Sequence, residues 1–81
     1  MFYVYVLKCR DGTLYTGYTN DLKKRLRLHN NGKASRYTRS RLPVKIIAKW
    51  QFQSKSEAMK YEISFKSLTR KAKMSAIGQR F

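Results

Sequence analysis

The 81-residue sequence contains one cysteine, one proline, four glycines and four acids, the acids facing 19 lysines and arginines. With Cys9 alone, no internal disulfide can form, and a small apolar residue in a reducing compartment is the expectation. No glycine-rich phosphate loop and no Cys/His constellation occur, which removes P-loop nucleotide hydrolysis and a structural zinc. No apolar run approaches the roughly 20 residues that span a bilayer, and no charged stretch leading into an apolar signal core opens the chain, so a cytoplasmic location is expected. Internal repeats, low-complexity tracts and linkers are also missing. A chain of this length has too little core to divide, so residues 1–81 are expected to form one domain.

What is abundant is positive charge. The formal net charge is +15, and self-repulsion of that size in a small fold implies a polyanionic partner, nucleic acid first. Between Leu22 and Ser56 there is no acid at all. Phosphate backbones bind such surfaces by counterion release, which makes Lys23, Lys24, Arg36, Tyr37, Arg39, Arg41 and Lys66 candidates for nucleic-acid contact. A solvated basic face kept for solubility is the plainer alternative. A membrane surface fits less well, because the cations are not confined to one long amphipathic helix.

Aromatic and β-branched residues from Phe2 to Cys9 read as a strand, Asp11-Gly12 as a two-residue hairpin turn, and Leu14 to Thr19 as the returning strand. Asn20 is placed to cap a first helix through Leu22, Leu26 and His29, ended by Asn31-Gly32. The segment KASRYTRSRLP reads as a polar connection stopped by Pro43. A third strand runs from Val44 to Phe52 with Val44, Ile46, Ala48 and Trp50 on one face. Ser54 and Glu57 form a capping box for a helix to about Leu68, and Thr69 caps a last helix through Ile77. The predicted fold class is α/β: a three-stranded, mostly antiparallel sheet, built from an N-terminal β-hairpin plus a third strand and flanked by two to three helices.

Because carboxylates are scarce, each can be accounted for. Asp11 belongs to the turn, Asp21 to the positive end of the first helix, and Glu57 to the capping box. Glu62 has no such task, yet helical spacing sets it with Ala58 and Phe65 beside an apolar stripe. It needs a partner there. One reading is an ion pair with a lysine or arginine; the other is a ligand to a hard divalent cation, which takes one or two protein carboxylates and keeps its waters. On the first helix, Leu22, Arg25, Leu26 and His29 follow one face, so Arg25 and His29 lie side by side at the apolar edge. A snorkelling arginine and a packed imidazole would explain them. So would a phosphodiester site, with arginine binding phosphate and His and Tyr carrying or positioning protons.

Tyr5 in VYV, followed by Tyr15-Thr16-Gly17, resembles the paired motifs of the GIY-YIG nuclease family, with Thr16 in place of the middle isoleucine. YTGYTNDLKKRLRLHN is similar to that domain's second strand and first helix, including Arg25 and His29. EAMKYEISFK is similar to the helix that carries the family's metal-binding glutamate, here Glu62. The likeness runs from Phe2 to about Met74 and is strongest to the small stand-alone bacterial YhbQ-like subgroup, where KYTR-like and RPV-like segments stand at RYTR and LPV. The resemblance implies hydrolysis of DNA phosphodiesters with one Mg²⁺ or Mn²⁺ ion. On that analogy Tyr5 or Tyr15 deprotonates or orients the attacking water, Arg25 stabilises the phosphorane, His29 assists proton handling and Glu62 holds the metal. Gly17 lets the chain pass close to the site. Several family nucleases carry a lysine where this chain has Tyr18, and the asparagine found downstream in some members has no counterpart after Asn31. A monomer without an appended reading domain is expected to be structure-selective or weakly sequence-specific, with branched or nicked DNA among its substrates. RNA, and a catalytically silent DNA- or RNA-binding module, remain the rival readings.

Overall fold

A computed structural model describes residues 1–78. The order is β1 (Phe2–Lys8), β2 (Leu14–Thr19), α1 (Leu22–Asn30), α2 (Arg36–Arg39), β3 (Lys45–Phe52), α3 (Lys55–Lys66) and α4 (Arg70–Gly78). β1 lies in the centre of the sheet, antiparallel to both β2 and β3. The expected sheet is therefore present. There are four helices among the described residues rather than two to three, because the basic RYTR segment folds into a turn of helix.

The hairpin is closed by three residues, not the two expected. Cys9 N–H donates to the Thr13 carbonyl at 2.9 Å and Gly12 N–H to the Cys9 carbonyl at 2.9 Å, with Gly12 at φ 85°. Such a loop needs a left-handed residue before the returning strand, and glycine supplies it without steric cost. The Asp11 carboxylate then accepts from both Thr13 N–H and Thr13 Oγ1–H and pairs with Arg41 at 3.0 Å. The carboxyl is held below its usual range, first by the Thr13 hydroxyl.

α1 begins one residue later than Asn20 would place it. Asp21 is the cap, its carboxylate accepting from Lys24 N–H, because it combines an acceptor for that orphan donor with a charge suited to the helix's positive end. The helix ends as expected around Asn31-Gly32: Gly32, at φ 74°, donates to the His29 carbonyl and Lys33 to the Leu28 carbonyl. Asn30 then ties the helix to the chain entering β3. Its amide donates to the Val44 carbonyl at 3.2 Å and accepts from Val44 N–H at 2.9 Å, imitating one rung of a sheet.

β3 departs from simple alternation. Val6 pairs with Ala48 but Leu7 pairs with Ile46, leaving Ile47 as the extra residue of a bulge. A bulge reverses the faces on either side of it, so Val44 and Ile46 pack with Tyr5, Leu7 and Cys9 under α1, whereas Ala48 and Trp50 pack with Val6, Phe65 and Ile77 on the opposite face. The single apolar face expected for β3 is thus divided between two cores. The free Cys9 is buried in the first of them.

Replacing Asn30 by alanine strands both backbone groups of Val44 and is expected to cost about 1–3 kcal/mol. Urea unfolding monitored by Trp50 fluorescence measures it; an unchanged midpoint would show that the Asn30 rung contributes nothing.

Candidate active site

Strand register brings the sequence candidates together. Tyr5 sits opposite Gly17, and Leu7 opposite Tyr15, so Tyr5, Tyr15 and Gly17 share the face that α1 covers, together with Tyr3. Tyr5 is 2% exposed, and its ring lies across the strand where Gly17 has no side chain. A Cβ at Gly17 would stand 2.7 Å from the Tyr5 hydroxyl oxygen and 2.9 Å from its ring carbon. Glycine is required there for the approach of a phenol, not for backbone freedom.

The Tyr5 hydroxyl is 2.8 Å from His29 Nε2, and His29 Nδ1 is 2.9 Å from Thr38 Oγ1. His29 and Thr38 are both 0% exposed. The i, i+3, i+4, i+7 placement of His29 at the apolar edge of α1 is confirmed. Both ring nitrogens are committed, and burial, followed by the charge of Arg25, holds the imidazole's pKa below its ordinary 6.5. His29 is a buried ring wedged between two phenols, edge-on to Tyr5 and to Tyr15 at centroid distances of 5.7 and 5.2 Å.

Burial is also the largest influence on Tyr5, raising its pKa well above the usual phenol range; the nearby Tyr15 phenol and the Glu62 carboxylate add to this, while the charge and hydrogen bonding of Arg25 oppose it. Arg25 of α1 and Glu62 of α3 are both near enough to Tyr5 for their charges to act on the phenol. Ala58 and Phe65 are buried on α3 with Glu62 half-buried between them, as helical spacing requires.

Two depressions flank this meeting point. One, of about 260 Å³, is lined by Tyr15, Thr16, Tyr37, Lys66 and Lys73; the other, of about 340 Å³, by Tyr18, Asn20, Arg25 and Lys55. Lys66 and Lys55 are the two ends of α3, so that helix runs alongside β2. Glu62 pairs with Lys66 at 3.6 Å, the lysine side chain being 52% exposed. An i, i+4 pair of this kind is worth roughly 0.3–0.5 kcal/mol. Its lysine lines the depression beside Tyr15.

No group of three or more His, Cys, Asp or Glu is arranged to hold a metal among the described residues. A cage of protein ligands is thus not the kind of centre these side chains make. The donors fit a hard cation instead: one carboxylate, no available imidazole and a cationic surround able to bring phosphate oxygens.

The profile of the GIY-YIG catalytic domain matches residues 1–75. The chain belongs to the GIY-YIG family. A UPF0213 protein of Streptococcus agalactiae is 58% identical over 77 residues, covering 95% of this chain and 88% of that protein. A UPF0213 protein of Bacillus licheniformis is 58% identical over 71 residues, covering 88% and 73%. The solution structure of a Bacillus halodurans UPF0213 protein superposes with a TM-score of 0.64 at 45% identity, covering 98% of this chain and 85% of that one. An Enterococcus faecalis (E. faecalis) solution structure gives 0.65 at 44% identity, over 95% and 82%. The GIY-YIG domain indicates a nuclease-type function, a nucleic-acid substrate and the use of divalent metal ions. Among the described residues, no helix of this GIY-YIG chain is long and apolar enough to cross a membrane.

The basic candidates divide into two groups. Lys23, Lys24, Arg36, Tyr37, Arg39 and Lys66 are exposed on α1, α2 and α3. Arg41 is already engaged: it pairs with Asp11, donates to the Tyr37 carbonyl at 2.8 Å and lies 4.0 Å over the Tyr37 ring, which in turn stacks on Tyr15. Sequence reasoning missed Thr38 and Asn30. The Ser35 cap before RYTR was the available signal, since its hydroxyl accepts from Tyr37 N–H, but one turn of helix is too short to show a period.

His29 gives the fold a pH dependence of definite sign. Its pKa is depressed in the folded state, so its stabilising contribution is present above pH 6.5 and is lost as pH falls through the folded value. Denaturation midpoints should decline between pH 7 and pH 5, and His29→Gln should flatten that decline. Equal slopes in both proteins would contradict a buried neutral imidazole.

Proposed function

We propose that this protein is a divalent-metal-dependent DNA endonuclease, acting as a monomer that cuts one strand at a time. The observation that carries the reading is that Tyr15, Arg25 and Glu62 all lie near enough to Tyr5 to act on its phenol, in a strongly basic molecule. In this reading Glu62 holds one Mg²⁺ or Mn²⁺ ion, which when bound supplies positive charge to a non-bridging phosphate oxygen and the departing alkoxide.

The two tyrosines take different parts. Tyr5, buried and hydrogen-bonded to His29, is a support that helps place Arg25. Tyr15 faces open space, so its oxygen is the one able to meet a water molecule. The water oxygen forms a bond to phosphorus while the bond from phosphorus to a deoxyribose oxygen breaks. The water's proton passes to the Tyr15 oxygen as the phenol's own proton leaves to solvent, and the departing oxygen is protonated from solvent. Arg25 donates to the phosphorane oxygens, where its hydrogen bonds count most. With exposed cations on three helices, phosphate contacts dominate over base contacts, favouring shape, such as branched or nicked DNA, over sequence.

Purified protein is incubated with branched, nicked and linear DNA, and with RNA, in Mg²⁺, Mn²⁺ or EDTA. Cleavage of DNA that stops in EDTA and falls about 100-fold or more in Glu62→Ala is expected. Arg25→Ala should lose about 100-fold in rate but much less in DNA affinity, because a contact formed in the transition state matters more to rate than to binding. Steeply salt-dependent binding with no cleavage would replace the nuclease by a silent binding module. Preferential cutting of RNA would reassign the substrate.

A further inference from the structure

The hydroxyl of Thr38 can be assigned a direction. It carries one hydrogen, which it donates to the Ser35 carbonyl at 3.3 Å, so toward His29 it can only accept, and the 2.9 Å contact must carry a proton on Nδ1. The other end of the chain gives the same answer independently. Arg25 has donors only and cannot take the Tyr5 proton, and the Glu62 carboxylate pairs with Lys66 and makes no hydrogen bond to this hydroxyl, which leaves His29 Nε2, 2.8 Å away, as its acceptor. The sequence of donors is Tyr5 O–H to Nε2, Nδ1–H to Thr38 Oγ1, and Thr38 O–H to Ser35 C=O. Hydrogen positions follow from the network, and here both ends agree.

We propose that Thr38 is a positioning residue of the active site: from α2 it fixes the Nδ1–H tautomer of His29, which holds the Tyr5 proton inward and leaves the phenol's lone pairs to receive the Arg25 guanidinium. The reversed tautomer would point Nε2–H at Tyr5, occupy a lone pair on its oxygen and turn the phenol proton toward Arg25, donor against donor. The four-residue helix formed by RYTR thereby sets the orientation of Arg25. Its structural part stands on the hydrogen bonds alone; its catalytic part rests on the nuclease reading above.

The chain has one histidine, so a long-range ¹H–¹⁵N spectrum of its ring reports this site without overlap. The wild type should show a protonated Nδ1 and an unprotonated Nε2. Thr38→Val, close in shape at a fully buried position, should lose that tautomer, while Thr38→Ser should keep it; backbone spectra of each variant verify the fold. Cleavage of nicked DNA should fall about 10-fold to 100-fold in Thr38→Val at little change in DNA affinity and return in Thr38→Ser. A wild-type ring protonated on Nε2, or a Thr38→Val ring unchanged from wild type, would overturn the assignment. A normal tautomer switch with no effect on a measurable cleavage rate would overturn the catalytic part. If the wild type cuts no DNA, the nuclease reading fails, and the ring spectra still decide whether Thr38 sets the tautomer.

Discussion

The hydrogen bond from the Tyr5 hydroxyl to His29 is the constraint on which the remaining geometry depends. It joins the central strand to α1 inside the core, and both residues are excluded from water. A buried polar pair is costly unless every donor and acceptor is used, and here every one is: Nδ1 is taken by Thr38, and no buried side-chain nitrogen or oxygen among the described residues lacks a partner. The requirement propagates outward. It fixes glycine at position 17, where any side chain would collide with the phenol, and it fixes a hydroxyl on α2, where the imidazole needs an acceptor.

The same constraint separates support from chemistry. A phenol whose pKa is driven upward by burial, beside an imidazole driven downward by the same cause, does not exchange a proton readily; the pair orients rather than titrates. Placed on that frame, Arg25 and Glu62 arrive from two helices packed on opposite faces of the sheet. In the proposed nuclease, that arginine and that carboxylate hold a phosphate and a cation within a surface that is otherwise cationic. Lys66 is a weak partner of Glu62.

Much of this was legible in the residues. Period-two alternation located β1 and β2, the helical spacing of Leu22, Arg25, Leu26 and His29 put the last of these against the core, and the audit of four acids isolated Glu62. What escaped was non-periodic. The bulge at Ile47 divides β3 between two cores because one inserted residue reverses every side chain beyond it, and no composition marks that insertion. α2 was hidden by its charge: Arg36, Tyr37 and Arg39 face outward while Thr38 alone turns in. A single buried hydroxyl in four residues leaves no pattern to read. The roles of the two tyrosines were likewise open in the sequence, and burial is what distinguishes them.

The most direct test of the account is where a divalent ion sits in solution. Mn²⁺ added in small amounts to ¹⁵N-labelled protein broadens amides near the bound ion. The account predicts that Glu62 and its α3 neighbours broaden first, together with Tyr15, Thr16 and Gly17 on β2 and Arg25 on α1. Broadening confined to Asp11, Asp21 or Glu57, with the β2 edge and Glu62 untouched, would contradict it.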